Sequence, residues 1–289
     1  MSGTHGKNAG RPCSCKGENN MTPDTQQVRF GADGEGFLYL PRGPLPSGAV
    51  VILHERYGLV QHTLDLAQRL AQDGFVALAP NLFSRWQGDQ EALRRGQARV
   101  VLPDPEIAAV IDQALDFLKT HPRVDASRIA LMGVCQSGRY PIVVGSRRRD
   151  LAACVVFYGG AQQRDWQISE LQPRPMQAMM RALTAPVLFV FGERDHTISL
   201  DEVRRVRNTL EDGRRSYRMK VFAGMPHGWL NDTMPGRYRP EQAQQAWTML
   251  RAFLADVFSG AWPGTGRVRW EFESETGTDY DFSKNVRLE

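Results

Sequence analysis

The residues of this 289-residue chain with the strongest claim to chemistry are Cys135, Asp195 and His227. Cys135 ends an apolar run, RIALMGV, and is followed by Gln136, Ser137 and Gly138 before a helix-like stretch. A nucleophile set in a sharp strand-to-helix turn needs small residues on both sides, because neighbouring backbones approach closely there. Gly133 and Ser137 meet that need, with Gly138 directly after. The start of a helix also favours a thiolate. Ser137 is the rival nucleophile, but its own flanking positions are Cys135 and Arg139, and an Arg two residues on would crowd the turn. Cys154, inside AACVVF, reads instead as a buried small hydrophobe.

A thiol nucleophile requires a base, and the base requires a group that orients it. Asp195 follows the apolar strand APVLFVFGER, and His227 follows SYRMKVFAG in the segment GMPHGW. The chain order nucleophile, acid, histidine is one of the known orders of a catalytic triad. Glu193 and His196 are the nearby alternatives, but His196 adjoins the acid and would leave His227 idle. The segment His54-Glu55-Arg56-Tyr57-Gly58 is not a zinc helix, since Gly58 occupies the place of the second His of H-E-x-x-H. Neither a metal nor a cofactor is expected.

These residues must be held by repeated units. GEGFLYL, a Pro/Gly turn and AVVIL read as strands, and TLDLAQRLAQDG reads as a helix stopped by Gly74. FVALAP, PEIAAVIDQALDFLKTH, RIALMGV, a helix from near Gly138, AACVVFYGG, APVLFVFGERD, LDEVRRVRNTLED, SYRMKVFAG and PEQAQQAWTMLRAFLADVF continue the alternation. Such units predict an α/β fold with a mostly parallel central sheet and helices on both faces. Functional groups should gather at the carboxyl ends of the strands. Two segments, 81–96 and 161–183, leave strand ends and are rich in Arg, Gln, Pro, Trp and Met; they either cover a pocket or are plain surface excursions. We expect a flexible leader over 1–27, a catalytic domain over 28–258 and a tail over 259–289, with the strand-like VRWEFES either added as an edge strand or exchanged between subunits in a homodimer.

Composition narrows the class. At 42% apolar residues the chain can bury a full core, and 36 basic against 32 acidic residues, scattered rather than clustered, argue against nucleic acid as a partner. The densest run, Arg147 to Arg149, suits the end of a helix. No stretch approaches a membrane span, and MSGTHGKNAGRPCSCKGENN lacks the apolar core of a secretory signal, so no membrane partner and a cytoplasmic location are expected. Four unevenly placed cysteines suggest reduced thiols; Cys13 and Cys15 lack two further ligands nearby for a metal site.

The blocks VVILHERYGL, LAPNLFSR, GVCQSGRY with VVFYGG, and GERDHTIS with GMPHGW resemble the dienelactone hydrolase (carboxymethylenebutenolidase) family of the α/β-hydrolase superfamily, over roughly Gly34 to Phe258. The resemblance implies a carboxylic ester hydrolase that opens lactones or activated esters through an acyl-enzyme. It implies that Glu55 sits against the Cys135 thiol and takes its proton when substrate arrives. The oxyanion donors would be the backbone N–H groups of Gln136 and Arg56. Arg85 matches the arginine that grips a substrate carboxylate, and Tyr57 and Trp229 would complete the substrate site. A second carboxylate-binding arginine is expected a few residues beyond His227, where this chain reads Gly228-Trp229-Leu230-Asn231-Asp232; Arg237 and Arg239 are the alternatives. The competing functions are a non-catalytic binding protein on the same fold and a thioesterase or peptidase with the same machinery.

Overall fold

The computed structural model describes residues 23–101, 103–262 and 266–278. Its strands are β1 (Asp24–Phe30), β2 (Gly34–Leu40), β3 (Ser47–Leu53), β4 (Val76–Pro80), β5 (Val124–Val134), β6 (Ala153–Phe157), β7 (Val187–Gly192), β8 (Tyr217–Phe222) and β9 (Trp270–Ser274). They form one sheet in the order β1-β2-β4-β3-β5-β6-β7-β8-β9. β2 is antiparallel to both β1 and β4, and every pairing from β4 through β3 to β9 is parallel.

The central strands are apolar where both faces are covered, as in Ile129–Val134 of β5, and successive side chains point to opposite layers. On β3, Ala49, Val51 and Leu53 join one core while Val50 and Ile52 join the other. The helices α2 (Gln90–Arg94), α3 (Asp104–Thr120), α4 (Tyr140–Gly145), α5 (Met176–Ala182) and α6 (Leu200–Asp212) supply Leu93, Ile107, Ile111, Ile142, Met179 and Val206 to the first core. The helices α1 (Gln61–Gln72) and α7 (Pro240–Phe258) supply Leu66, Leu70, Trp247, Leu250 and Phe253 to the second. The fold is the expected one, a mostly parallel sheet with helices on both faces. α1 ends as its sequence indicates: the Gly74 N–H returns to the Ala71 carbonyl from φ +96°, a conformation costly for any residue with a Cβ.

Both expected domain boundaries move outward. Asp24 to Gln27, assigned to the leader, pair with β2 as part of β1. The tail strand β9 adds to β8 in parallel within the same chain, with Arg218 paired to Glu271, Lys220 to Glu273 and Glu275, and the Gly277 N–H donating to Glu193. Glu193 also accepts from the Gly224 N–H at 2.6 Å, so it ties two loops to the tail. Cys13 and Cys15 lie outside the described residues. α4 is short and stops at Gly145, before the arginine run, and Arg147 and Arg148 pair with Asp112, Asp116 and Asp150 rather than capping a helix end. Among the described residues no helix is long and apolar enough to cross a membrane.

Cys154 is fully buried, donates to the Pro141 carbonyl at 3.3 Å, and burial pushes its thiol up to about 12. Brief iodoacetamide treatment of the folded protein at pH 8 should therefore leave Cys154 unlabelled while Cys135 reacts. Peptide mass mapping reads this directly, and prompt labelling of Cys154 without denaturant would contradict the packing.

Candidate active site

Cys135, at the carboxyl end of β5, adopts φ +56°, the left-handed region that a β-substituted residue occupies only when its surroundings compel it. The compulsion is visible at two glycines. A Cβ on Gly133 would stand 2.4 Å from the Ser137 carbonyl oxygen, and one on Gly159 would stand 2.3 Å from the Cys135 carbonyl oxygen. The turn runs straight into a single 3-10 turn, Cys135–Arg139, and then α4.

Ser137 is turned away from this chemistry. Its hydroxyl accepts from the Val134 N–H at 3.0 Å and lies 3.1 Å from the Leu53 carbonyl and 2.9 Å from that of Val134, with the side chain buried. It fastens the turn to β3. We expect Ser137→Ala to lose about 1–3 kcal/mol of stability, because the buried groups it joins lose their partner, and to leave ester turnover largely intact. Denaturant unfolding and steady-state hydrolysis check both halves; a stable variant without activity would make Ser137 the nucleophile.

The Cys135 Sγ lies 3.0 Å from His227 Nε2, and His227 Nδ1 lies 2.7 Å from Asp195 Oδ2. Asp195 is fixed in turn: its Oδ1 accepts from the Thr197 N–H at 2.7 Å, the Thr197 hydroxyl at 2.8 Å and the Ile198 N–H at 3.2 Å. Burial opposes charge on both partners of the His227–Asp195 pair, but their mutual attraction and hydrogen bonds outweigh it. Asp195, also held by Thr197, is thus kept below the usual carboxylate range, and His227, facing Cys135 as well, is raised well above the usual imidazole range. An Nδ1–H donated to Asp195 leaves Nε2 directed at the sulfur. The geometry can remove a proton from the thiol and later return one to a leaving group. His196 stacks edge-on against His227, with ring centroids 5.6 Å apart, and lines the same pocket.

Glu55 is buried at the end of β3, and its Oε2 accepts from Asn231 Nδ2 at 2.6 Å. The Asn231 amide is oriented by the Thr233 N–H and hydroxyl, both donating to its Oδ1. Asn231 stands in the stretch where a second carboxylate-binding arginine is expected. His54 holds the loop: its Nε2 accepts from the Leu82 N–H at 3.0 Å and its Nδ1 donates to the Glu55 carbonyl at 2.8 Å. Burial lowers its ring to about 4, so it stays neutral in that role. Tyr158 packs edge-on against His227 at 5.2 Å, and burial, together with the Glu55 carboxylate beside it, pushes its hydroxyl well above the usual phenol range. None of Thr197, Asn231, His54 or Tyr158 carries a sequence signal beyond its position in a motif already chosen for another residue.

Cys135 opens on a pocket of about 200 Å³ that also takes Glu55, Arg56, Tyr57, Gln136 and His227 in its wall. Segment 161–183 supplies Gln162 and Arg164 to that wall, so it covers the site, whereas segment 81–96 packs behind it, the Gly96 carbonyl accepting from Arg56. Two expected substrate residues are elsewhere. Arg85 is exposed, pairs with Asp33 and lines a separate surface depression, because Leu82 and Phe83 beside it turn into the core. Trp229 is wholly buried between Tyr158 and Phe222, and its indole is a core element rather than a wall of the pocket. Of the alternatives, Arg237 reaches the pocket, while Arg239 donates to the Gly236 and Tyr238 carbonyls.

Comparison with known proteins agrees with this architecture. The family model described as "Dienelactone hydrolase family" matches residues 35–258. A Methylorubrum extorquens protein named "Putative carboxymethylenebutenolidase" is 29% identical over 214 residues, 72% of this chain and 71% of its own. A Bradyrhizobium protein named "Probable 2-oxo-3-(5-oxofuran-2-ylidene)propanoate lactonase" is 29% identical over 236 residues, 78% of this chain and 92% of its own. The crystal structure of a "Putative Dienelactone Hydrolase" from Klebsiella pneumoniae superposes with a TM-score of 0.69 at 26% identity, covering 80% of this chain and 98% of that one. The chain belongs to the dienelactone hydrolase family, a family of carboxylic ester hydrolases.

Proposed function

We propose that the protein hydrolyses small lactones or activated esters by covalent catalysis, with Cys135 as nucleophile, His227 as general base and acid, and Asp195 as the group that orients His227. The observation that carries this reading is the unbroken chain of hydrogen bonds from Asp195 through His227 to a thiol held at the left-handed turn. The Cys135 sulfur attacks the substrate carbonyl, its proton passing to His227, and the carbonyl oxygen takes up negative charge. The backbone N–H groups of Arg56 and Gln136, two residues of the pocket wall, receive that charge. Collapse breaks the acyl–oxygen bond, and His227 protonates the departing alkoxide. Water, deprotonated by His227, then splits the thioester and frees Cys135.

The family resemblance would have Glu55 against the thiol, but here Glu55 shares the pocket wall with Cys135 and is held by Asn231, so the thiol proton has His227 as its acceptor. Glu55 accepts from the Asn231 amide at 2.6 Å and also stands beside the buried Tyr158 hydroxyl. A thiol nucleophile survives best in a reducing compartment, which agrees with a cytoplasmic site of action. The test is rapid acid quench during turnover of lactones, aryl esters and thioesters, followed by peptide mass spectrometry. The acyl mass should appear on Cys135. Turnover with the acyl group on another residue, or with none during a kinetic burst, would overturn the mechanism.

A further inference from the structure

We infer that the pocket at Cys135 takes an acyl substrate carrying two negative charges, which are received by Arg99 and Arg164 at the outside of the pocket together with Arg56 and Arg237 farther in. This rests on Cys135 being the nucleophile, and it adds the side chains of Arg99, Arg164 and Arg56, which the family resemblance does not mark, to Arg237, one of the alternatives for its second arginine. Arg85 is engaged with Asp33 on another face, and Asn231 is engaged with Glu55.

The charge balance of the pocket wall is the first observation. It contains four guanidinium groups, and Glu55 is the one carboxylate among its described residues. Elsewhere on the molecule arginines are commonly paired, as Arg95 is with Glu91, Arg147 with Asp112 and Arg204 with Asp201. The exposed Arg99 and half-buried Arg164 are different: among the described residues neither guanidinium has an ion pair or a hydrogen bond. Several like charges around a small cavity repel one another and attract a counter-charge of matching size.

The second observation is that both side chains start from backbone anchored to the nucleophile turn. Gln136, next to Cys135, donates from Nε2 to the Val100 carbonyl at 3.0 Å and so fixes the stretch bearing Arg99. Arg139, at the end of the same turn, donates to the Asp165 carbonyl at 2.8 Å, and the Asp165 carboxylate accepts from the Gln162 N–H at 2.8 Å, which fixes the stretch bearing Arg164. Two unpaired cations are therefore set on rigid supports at one opening. Guanidinium forks bind carboxylate or phosphoryl oxygens through paired hydrogen bonds, so a second carboxylate or a phosphate ester on the substrate meets the same chemistry.

Alkylation of Cys135 tests this without knowledge of the natural substrate. In each reaction the thiolate displaces halide, a C–S bond replacing the carbon–halogen bond while His227 keeps the proton. Rates at Cys135, read by peptide mass spectrometry, are compared for neutral iodoacetamide, singly charged iodoacetate and doubly charged bromosuccinate, each divided by its rate with N-acetylcysteine. The parent should favour the charged reagents in the order of their charge, and the preference should shrink as salt is added. Arg99→Gln/Arg164→Gln should slow bromosuccinate by about 100-fold and iodoacetate by about 10-fold, with iodoacetamide changed by less than about twofold. Succinate or inorganic phosphate should protect the parent from iodoacetamide but not the double variant, and whichever protects at lower concentration identifies the anion. Equal slowing of all three reagents, unchanged rates with bromosuccinate, or protection by neither anion would overturn the inference. Failure of iodoacetamide to reach Cys135 at all would instead remove the nucleophile on which it stands.

Discussion

Cys135→Ala should lower ester turnover by about 10⁴-fold while leaving the unfolding midpoint nearly unchanged. In the proposed mechanism the loss is large because base, orienting carboxylate and nucleophile act as one unit, so removal of the sulfur leaves His227 with nothing to activate. Stability should hold for a separate reason. The side chain faces an open pocket, so a methyl group leaves no sealed void and water can meet His227 Nε2. The left-handed backbone at φ +56° is imposed by the packing around Gly133 and Gly159 and is the same for Ala as for Cys. Cys135→Ser should fall between, keeping the hydrogen bond to His227 but not the readily formed anion. Steady-state kinetics beside thermal unfolding decide the matter. A Cys135→Ala variant retaining more than about a tenth of parental turnover would remove Cys135 from the chemistry.

The second large effect is on folding. Arg139, 3% exposed, grips Asp104, 5% exposed, through Nε at 2.9 and 3.0 Å and through Nη2 at 2.6 Å. Arg139→Leu would bury the Asp104 carboxylate without its partner at the start of α3 and should cost about 3–5 kcal/mol. Replacing Asp104 as well, by Leu, should recover much of that, since the isolated charge rather than the missing attraction is the larger penalty. A pH signature accompanies it. Burial raises Asp165 to about 6 even though Arg139 opposes the shift, so the folded protein binds more protons than the unfolded chain and stability falls as pH rises from about 4 to 6. Without Arg139 that fall should steepen and extend to higher pH. Urea unfolding at pH 5 and pH 8 measures it, and a single variant no less stable than the double one at both would refute the account.

Much of the fold is legible in the sequence because the central strands are buried on both faces. Runs such as AVVIL and ACVVF have no other stable environment, and helices that cover them must carry one apolar stripe. β1 escapes this reading for the converse physical reason. DTQQVRF lies at a sheet edge with most of its side chains exposed, and its place is set by backbone hydrogen bonds to β2 that any sequence can make. The tail strand is similar: alternation in VRWEFES signals a strand, but only the tertiary structure chooses β8 as its neighbour.

The same division holds at the site. The meeting of Cys135, Asp195 and His227 is legible because each follows a buried strand, and parallel strands deliver their carboxyl ends to one side of the sheet. The sequence by itself also determined the small residues at Gly133 and Ser137 that a tight turn demands. It did not determine where long side chains go. Arg85 belongs to Asp33, Trp229 to the core, and Arg99, Arg164 and Arg237 to the pocket, and no local pattern separates these cases. A strand fixes the direction of its own side chains through its backbone, whereas a loop arginine, with about four rotatable side-chain bonds, is placed by whichever partner the folded chain brings within reach.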